Sequence, residues 1–175
     1  ISHADVAHGN GQVRGIAYVG RLGQLGTSGN HRTGQLNRDL GQQAVAKGFT
    51  AIKFDIDNTN PGRFGDPYHV DTGQRGGWLQ GQQRPISNEE MDLIVNLVGA
   101  VREAIGPHID LAADCHWMYN TRDVIQLTHE LEPFKLAWLE DPTPPDNVEA
   151  LKRVTDRSPV PICSGENHYT RQGLR

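Results

Sequence analysis

The sequence predicts an α/β protein with a parallel sheet, because five short apolar runs alternate with four segments of helical periodicity along 175 residues. Three of these runs end in acidic residues, Asp114, Glu140 and Glu166, and 26 residues separate each acid from the next. One strand, one helix and two connections fit that interval. We therefore expect the three acids at the same end of successive parallel strands, where loops and ligands meet.

The first strand and helix are predicted from short patterns near the start. Residues 13–19 are apolar enough to form a strand. Leu36, Leu40 and Ala44 recur at helical spacing and predict a helix over 33–47, which would end at Gly48.

Residues 51–57 form the most regular strand pattern, since apolar and charged residues alternate there. One face would carry Ile52, Phe54 and Ile56, and the other would carry Lys53, Asp55 and Asp57. In an ordinary surface strand the charged face would contact water. In a barrel, helices cover the outside, so the charged face would point inward and its residues near the strand end would belong to the active site.

Residues 58–86 are rich in glycine and proline and lack periodicity, which predicts a long loop after the second strand. Loops of this length are often lids or binding loops, and this one would lie on the same side as the three acids. Arg63 and Tyr68 are candidate substrate contacts within it, although ordinary loop packing explains either residue equally well.

The remaining chain continues the alternation. Ser87 and Glu90 form a capping box that begins an amphipathic helix, which would end at Gly106-Pro107. Later strands are predicted over 109–116, 136–140 and 161–166, with helices from Thr121 to near Pro133 and from Asp146 through Val154. No glycine-rich phosphate loop follows any strand, which disfavours a nucleotide-binding doubly wound fold.

Composition and charge limit which binding partners and which cellular compartment are expected. A net charge of −4 with interspersed acids and bases gives no basic stripe, so nucleic acid is not expected as a partner. No apolar run approaches the roughly 20 residues of a membrane span, and no signal-peptide pattern opens the chain. Cys115 and Cys163 fall on strands separated by another strand, too far apart to bond, which favours a reducing, cytoplasmic setting.

The three acids predict a metal site. Carboxylates that converge at one edge would repel one another unless a cation neutralised them, and oxygen ligands favour Mg²⁺, with Mn²⁺ as a substitute, over Zn²⁺. Any single acid is explained as well by a helix cap or a loop position. Asp114, Glu140 and Glu166 together favour the metal.

With Lys53 included, the chain resembles the enolase superfamily in its mandelate racemase and muconate lactonizing enzyme branch. The matching stretches are Lys53-Phe54-Asp55, Asp114-Cys115-His116, Trp138-Leu139-Glu140-Asp141-Pro142 and Gly165-Glu166-Asn167. The resemblance implies about the first five βα units of a (β/α)8 barrel, in which Mg²⁺ holds a substrate carboxylate and stabilises the enediolate formed by α-proton removal. Lys53 would add positive charge there, and Asp55 and Asn167 would contact substrate.

Two features refine the implied activity. Racemases and lactonizing enzymes of this branch tend to carry a second lysine where this chain has Asp55. His116, two residues after Asp114, makes the chain look like the acid-sugar dehydratases of the galactonate, gluconate or mannonate type. The resemblance thus implies a Mg²⁺-dependent dehydratase of a small-molecule sugar acid in which His116 protonates the leaving hydroxyl. A histidine that only positions substrate is the open alternative.

Family members also carry an N-terminal capping domain and three further strands, and these 175 residues contain neither. We therefore expect residues 1–175 to be part of a barrel domain, inactive alone, and the full-length protein to be a homo-oligomer. A racemase or epimerase of a hydroxy acid and a catalytically silent barrel segment stay open as alternatives.

Overall fold

The computed structural model describes residues 15–18, 29–57, 85–168, 170 and 171. Five strands in these ranges form one parallel sheet: β1 Ile16–Tyr18, β2 Ala51–Asp55, β3 Asp110–Asp114, β4 Trp138–Glu140 and β5 Ile162–Cys163. The helices between them are α1 Gly29–Ala46, α2 Asn88–Ile105, α3 Thr121–Leu131 and α4 Val148–Arg157, and a 3-10 turn, Glu132–Phe134, follows α3.

The strands lie in the sheet in their chain order, from β1 to β5. Because crossovers between parallel strands are right-handed, an order without reversal winds every helix onto the same face of the sheet. A doubly wound sheet would instead reverse its strand order and carry helices on both faces. The topology is that of consecutive βα units of a (β/α)8 barrel, as the sequence predicts.

The helix-covered face of the sheet forms the hydrophobic core. Ile52, Phe54 and Ile56 are fully buried there, which confirms the predicted apolar face of β2. Fully buried residues of α2 pack into the same core, namely Ile94, Val98 and Val101. Helix α1 approaches α2 closely at Gly41, where a Cβ atom would lie 2.8 Å from Ile105 Cγ2. The opposite face of β2 is left to its charged residues.

Several element ends differ from the predicted ones. Strand β5 has two residues rather than the predicted 161–166, and β4 begins at Trp138 rather than at residue 136. Helix α4 begins at Val148, because Asn147 and not Asp146 is its cap: Asn147 Oδ1 accepts a hydrogen bond from Ala150 N at 3.0 Å. Apolar composition does not mark where a neighbouring strand stops offering hydrogen bonds, so strand ends are predicted poorly.

Other elements agree with the sequence. Ser87 Oγ accepts a hydrogen bond from Glu90 N at 3.2 Å, which confirms the predicted start of α2. Of the predicted loop over 58–86, residues 58–84 lie outside the described residues.

No helix in the described ranges is long and apolar enough to cross a membrane.

Arg102 connects the end of α2 to the segments that lead into β3 and β4. Its Nε donates to Phe134 O at 2.9 Å, and its Nη1 donates to Gly106 O at 3.1 Å and to Ile109 O at 2.6 Å. Its Nη2 donates to Lys135 O at 3.2 Å. One guanidinium therefore fixes the approach of the chain to two adjacent strands.

Replacing Arg102 by alanine should lower the free energy of unfolding by about 1.5 to 3 kcal/mol, since hydrogen bonds to a charged group are lost together. Urea unfolding followed by circular dichroism measures the change. Arg38→Ala is the matched control, because Arg38 makes a surface ion pair with Glu103 at 3.5 Å, and such pairs contribute about 1 kcal/mol or less. Equal losses in the two variants would contradict the role of Arg102.

Candidate active site

The carboxyl ends of three neighbouring strands carry acids in one row. Asp55 of β2 pairs with Asp114 of β3, and Asp114 pairs with Glu140 of β4. Side chains at paired positions of parallel strands point to the same face, so these carboxylates lie on the inner side of the sheet, away from the helices. In the next pairing, Glu140 faces Cys163. Glu166 is three residues beyond that row and reaches the site from the following turn.

Lys53 lies on the same face of β2, two residues before Asp55. Its Nζ is 2.8 Å from Asp114 Oδ2 and also donates to Glu140 Oε1. Burial alone would lower the pKa of Lys53, but hydrogen bonds to these carboxylates and their charges raise it above 10.5. Lys53 is therefore a firmly charged cation between two of the predicted metal ligands.

Glu140 and Asp114 are each held through both carboxylate oxygens. Glu140 Oε1 accepts from Lys53, and its Oε2 accepts from Trp138 Nε1 at 2.8 Å. Asp114 Oδ1 accepts from the backbone N–H of His116 at 3.0 Å, while its Oδ2 faces Lys53. A carboxylate has about four lone-pair sites, so these bonds orient both groups and leave capacity for a cation.

Glu166 is brought to the site by the turn after β5. Gly165, with φ +133°, precedes it in a backbone conformation that other residues rarely adopt. Carboxylate oxygens of Glu140, Asp141 and Glu166 then lie within 4.8 Å of one another. Asp141 was absent from the predicted ligands, and Ser164 Oγ donates to its Oδ1 at 2.7 Å. The sequence signal for Asp141 was its position directly after Glu140.

The donor set fits a hard divalent cation such as Mg²⁺. All of its ligand atoms are oxygens. Burial raises the pKa of Asp141 and of Glu166, and the charges of neighbouring carboxylates raise both further. A cation among these oxygens would relieve that repulsion. Among the described residues, this close set contains Glu140 and Glu166 of the three predicted ligands together with Asp141, whereas Asp114 does not belong to it and contacts Lys53. Asp114 stays a predicted ligand, and Asp141 is a further candidate.

A second cluster contains His116, Asp55 at the end of β2, and Asp57, which lies two residues after that strand. His116 Nδ1 is 3.4 Å from Asp57 Oδ2, and its Nε2 is 3.9 Å from Asp55 Oδ1 and 3.7 Å from Asp114 Oδ2. The His116 side chain is 15% exposed, whereas those of Asp55 and Asp57 are 3% and 5% exposed. His116 is thus the most accessible member of this cluster.

The surroundings of His116 favour its charged form. Burial alone would lower its pKa, but hydrogen bonding to Asp57 and the charges of Asp57, Asp114 and Asp55 raise it to about 9. A cation held by Asp114 would counter part of this shift. The chemistry available here is a proton donor beside a group of carboxylates.

Three residues around the site have left-handed backbone conformations that are uncommon outside glycine: His116 with φ 45°, Trp117 with φ 61° and Asp141 with φ 42°. Each costs about 1 to 3 kcal/mol and persists only when neighbouring contacts enforce it. Trp117 N donates to Asp141 O at 2.7 Å, and Cys115 N donates to Glu140 O at 3.0 Å. The loops after β3 and β4 therefore hold one another in place.

The other predicted residues have varied positions. Asn167 is exposed in the turn after Glu166, and Asp55 is buried beneath His116. Arg63 and Tyr68 lie outside the described residues. Cys115 and Cys163 are both free, as predicted, with Cys115 buried and Cys163 exposed.

Comparison with known proteins identifies the family. Residues 36–175 match the enolase C-terminal domain-like family. The chain belongs to this family. It is 38% identical over 128 residues to the D-xylonate dehydratase of Haloferax volcanii, a match that covers 73% of this chain and 27% of that protein. It is 34% identical over 80 residues to the D-galactarolactone cycloisomerase of Agrobacterium fabrum, covering 46% and 21% respectively.

A solved structure of the same superfamily has the same fold. The mandelate racemase/muconate lactonizing enzyme-like protein of Rubrobacter xylanophilus is 34% identical, with a TM-score of 0.74, over 95% of this chain and 41% of that one. The predicted resemblance to this branch of the enolase superfamily is confirmed. The chain spans about a quarter of the length of the two curated relatives.

Glu140→Gln should weaken Mg²⁺ binding by about tenfold or more, because glutamine keeps the shape of the side chain but removes one negative charge from the ligand group. Isothermal titration calorimetry measures the affinity, and circular dichroism verifies the fold. Glu132→Gln, at an exposed position of the 3-10 turn before β4, is the matched control and should bind Mg²⁺ as the unchanged protein does. Unchanged affinity in Glu140→Gln would remove Glu140 from the candidate ligands.

Proposed function

We propose that this chain carries the metal-binding side of the active site of a Mg²⁺-dependent sugar-acid dehydratase. The observation that carries the proposal is the position of His116 beside Asp114, one of the proposed metal ligands, with Nε2 3.7 Å from Asp114 Oδ2. Dehydration needs a cationic centre for the substrate carboxylate and an acid for the leaving hydroxyl, and the proposed ligands and His116 would supply them side by side. Similarity to the D-xylonate dehydratase of Haloferax volcanii supports the same reaction class.

The proposed reaction removes the proton α to the substrate carboxylate and breaks the bond between the β-carbon and its hydroxyl. The products are water and a 2-keto-3-deoxy acid. Bound Mg²⁺, or Mn²⁺ in its place, would hold the substrate carboxylate and neutralise the charge that develops on its oxygens. Asp114, Glu140 and Glu166 are the proposed ligands, with Asp141 next to them.

Lys53 and His116 have distinct proposed roles. The ammonium of Lys53, held by Asp114 and Glu140, supplies a second fixed positive charge near the substrate carboxylate. His116 donates a proton from Nε2 to the β-hydroxyl, so that water leaves instead of hydroxide. Asn167, exposed beside Glu166, is retained as a substrate contact, together with Asp55, Arg63 and Tyr68.

The base that removes the α-proton is proposed to lie in a part of the enzyme outside these 175 residues. The position two residues after Lys53, where a second lysine could act as that base, is Asp55, and the imidazole of His116 lies beside its carboxylate at 3.9 Å. Residues 1–175 would then be one part of a barrel domain, with residues 58–86 as the long loop after the second strand. We propose the full-length enzyme as a cytoplasmic homo-oligomer that breaks down carbohydrate acids.

His116→Asn in the full-length enzyme should depress dehydration by roughly 10² to 10⁴, the usual contribution of a general acid. Exchange of the α-proton with deuterated water should fall much less, since exchange needs only the base and the metal. Asparagine tolerates the left-handed conformation of residue 116, so the loop should persist. Product formation from D-xylonate, D-gluconate and D-galactonate is measured beside proton exchange by NMR, with the exposed His129→Asn as the control.

The other outcomes point to different reactions. Equal loss of dehydration and exchange would make His116 the α-proton base or a group that positions substrate for both steps. If neither dehydration nor proton exchange changed, His116 would take no part in the reaction. Proton exchange by the unaltered enzyme without dehydration of any sugar acid would overturn the dehydratase in favour of a racemase or epimerase of a hydroxy acid. An enzyme with neither activity would indicate a catalytically silent barrel.

A further inference from the structure

Asp57, two residues after the end of β2, has no role in the reaction proposed above. We propose that Asp57 is a positioning residue whose carboxylate binds Nδ1–H of His116 and thereby presents Nε2 of the imidazole to the substrate. The catalytic consequence rests on the proposed function, whereas the hydrogen bond itself can be tested without any activity.

The geometry distinguishes the two ring nitrogens of His116. Nδ1 lies 3.4 Å from Asp57 Oδ2, whereas Nε2 lies 3.7 Å and 3.9 Å from the nearest oxygens of Asp114 and Asp55. An ionised carboxylate can only accept hydrogen bonds, so its partner nitrogen must carry the proton. After Nε2 gives up its proton, Asp57 stabilises the tautomer with hydrogen on Nδ1. Such contacts are often long until substrate binds.

Burial separates the roles of the two residues. The Asp57 side chain is 5% exposed and that of His116 is 15% exposed. Asp57 is therefore less accessible than the imidazole that it faces, and we expect a substrate to contact His116 in preference to Asp57. We therefore expect Asp57 to act on the reaction through the histidine.

Both backbone polar groups of Ile56, the residue before Asp57, make hydrogen bonds. Ile56 N donates to Asp114 O at 2.9 Å, and Ile56 O accepts from the hydroxyl of Tyr119 at 3.1 Å. Asp114 and Tyr119 flank His116 in the sequence, and the Tyr119 side chain is fully buried. The segment that carries the imidazole thus also binds the segment that carries its carboxylate partner. This arrangement keeps the two side chains in register.

A double-mutant cycle tests the proposal in the full-length enzyme with Mg²⁺ bound. Asp57→Ala should lower kcat for dehydration about tenfold to a hundredfold, with KM and Mg²⁺ affinity within about twofold. Asp57→Asn keeps an acceptor oxygen and should retain an intermediate kcat. In the His116→Asn background, Asp57→Ala should cause no further loss, because the two residues act as one unit. Independent, additive losses would overturn the proposal.

A proton NMR measurement tests the hydrogen bond itself. The Nδ1–H of His116 should give a downfield resonance, assigned by its loss in His116→Asn. It should disappear in Asp57→Ala, shift in Tyr119→Phe and stay unchanged in the exposed control Asp92→Asn. A resonance that Asp57→Ala does not alter overturns the proposal, even in an active dehydratase. If the resonance behaves as expected in a protein that dehydrates no sugar acid, the contact stands and the proposed function fails.

The same three side chains, Asp55, Asp57 and His116, also have atoms close enough to hold a metal ion, within 4.8 Å of one another. Titration calorimetry distinguishes this outcome. If Asp57→Asn loses one full equivalent of bound metal relative to the unaltered protein, Asp57 is a metal ligand and the positioning role is wrong. An unchanged stoichiometry supports the hydrogen bond.

Discussion

Repulsion between carboxylates is the constraint on which this site depends. The described residues bring six acids to one end of the sheet: Asp55, Asp57, Asp114, Glu140, Asp141 and Glu166. Two like charges 4 Å apart repel by about 4 kcal/mol at an effective dielectric constant of about 20. Lys53 offsets part of this cost by contacting two of the acids at once. The raised pKa of Cys163, caused by burial and then by Glu140 and Asp141, reports the negative potential that is left.

Such a concentration of charge is tolerable because the described strand residues on the helix-covered face of the sheet are apolar. Ile52, Phe54 and Leu139 are fully buried against the helices, and burial of such side chains contributes about 1.5 to 3 kcal/mol each. Packing against the helices therefore holds in place the strands that carry the acids. Arg102 fixes the segments that enter β3 and β4 from the opposite end of the sheet. Rigid strands keep the carboxylates at fixed separations, which is what a metal site requires.

Most of the fold could be predicted from the sequence, but only part of the candidate site. Alternation along β2 identified its two faces, and equal spacing correctly brought Asp114 next to Glu140. The same spacing did not pair Glu140 with Glu166, because loop residues and strand residues count equally in a sequence interval. Glu140 pairs with Cys163, and the turn at Gly165 delivers Glu166. Asp141 was missed because its direction follows from a left-handed backbone, to which the alternation rule does not apply.

The bond from Trp117 N to Asp141 O limits how this part of the barrel can diverge. In barrels of this kind each βα loop can usually change by itself, and that modularity allows one scaffold to support many chemistries. Here two successive loops share a backbone hydrogen bond and left-handed conformations at their contact, so an insertion in either would displace candidate ligands on both strands. These loops should therefore be inherited as one unit. New substrate preferences would then arise in segments that can vary independently of them.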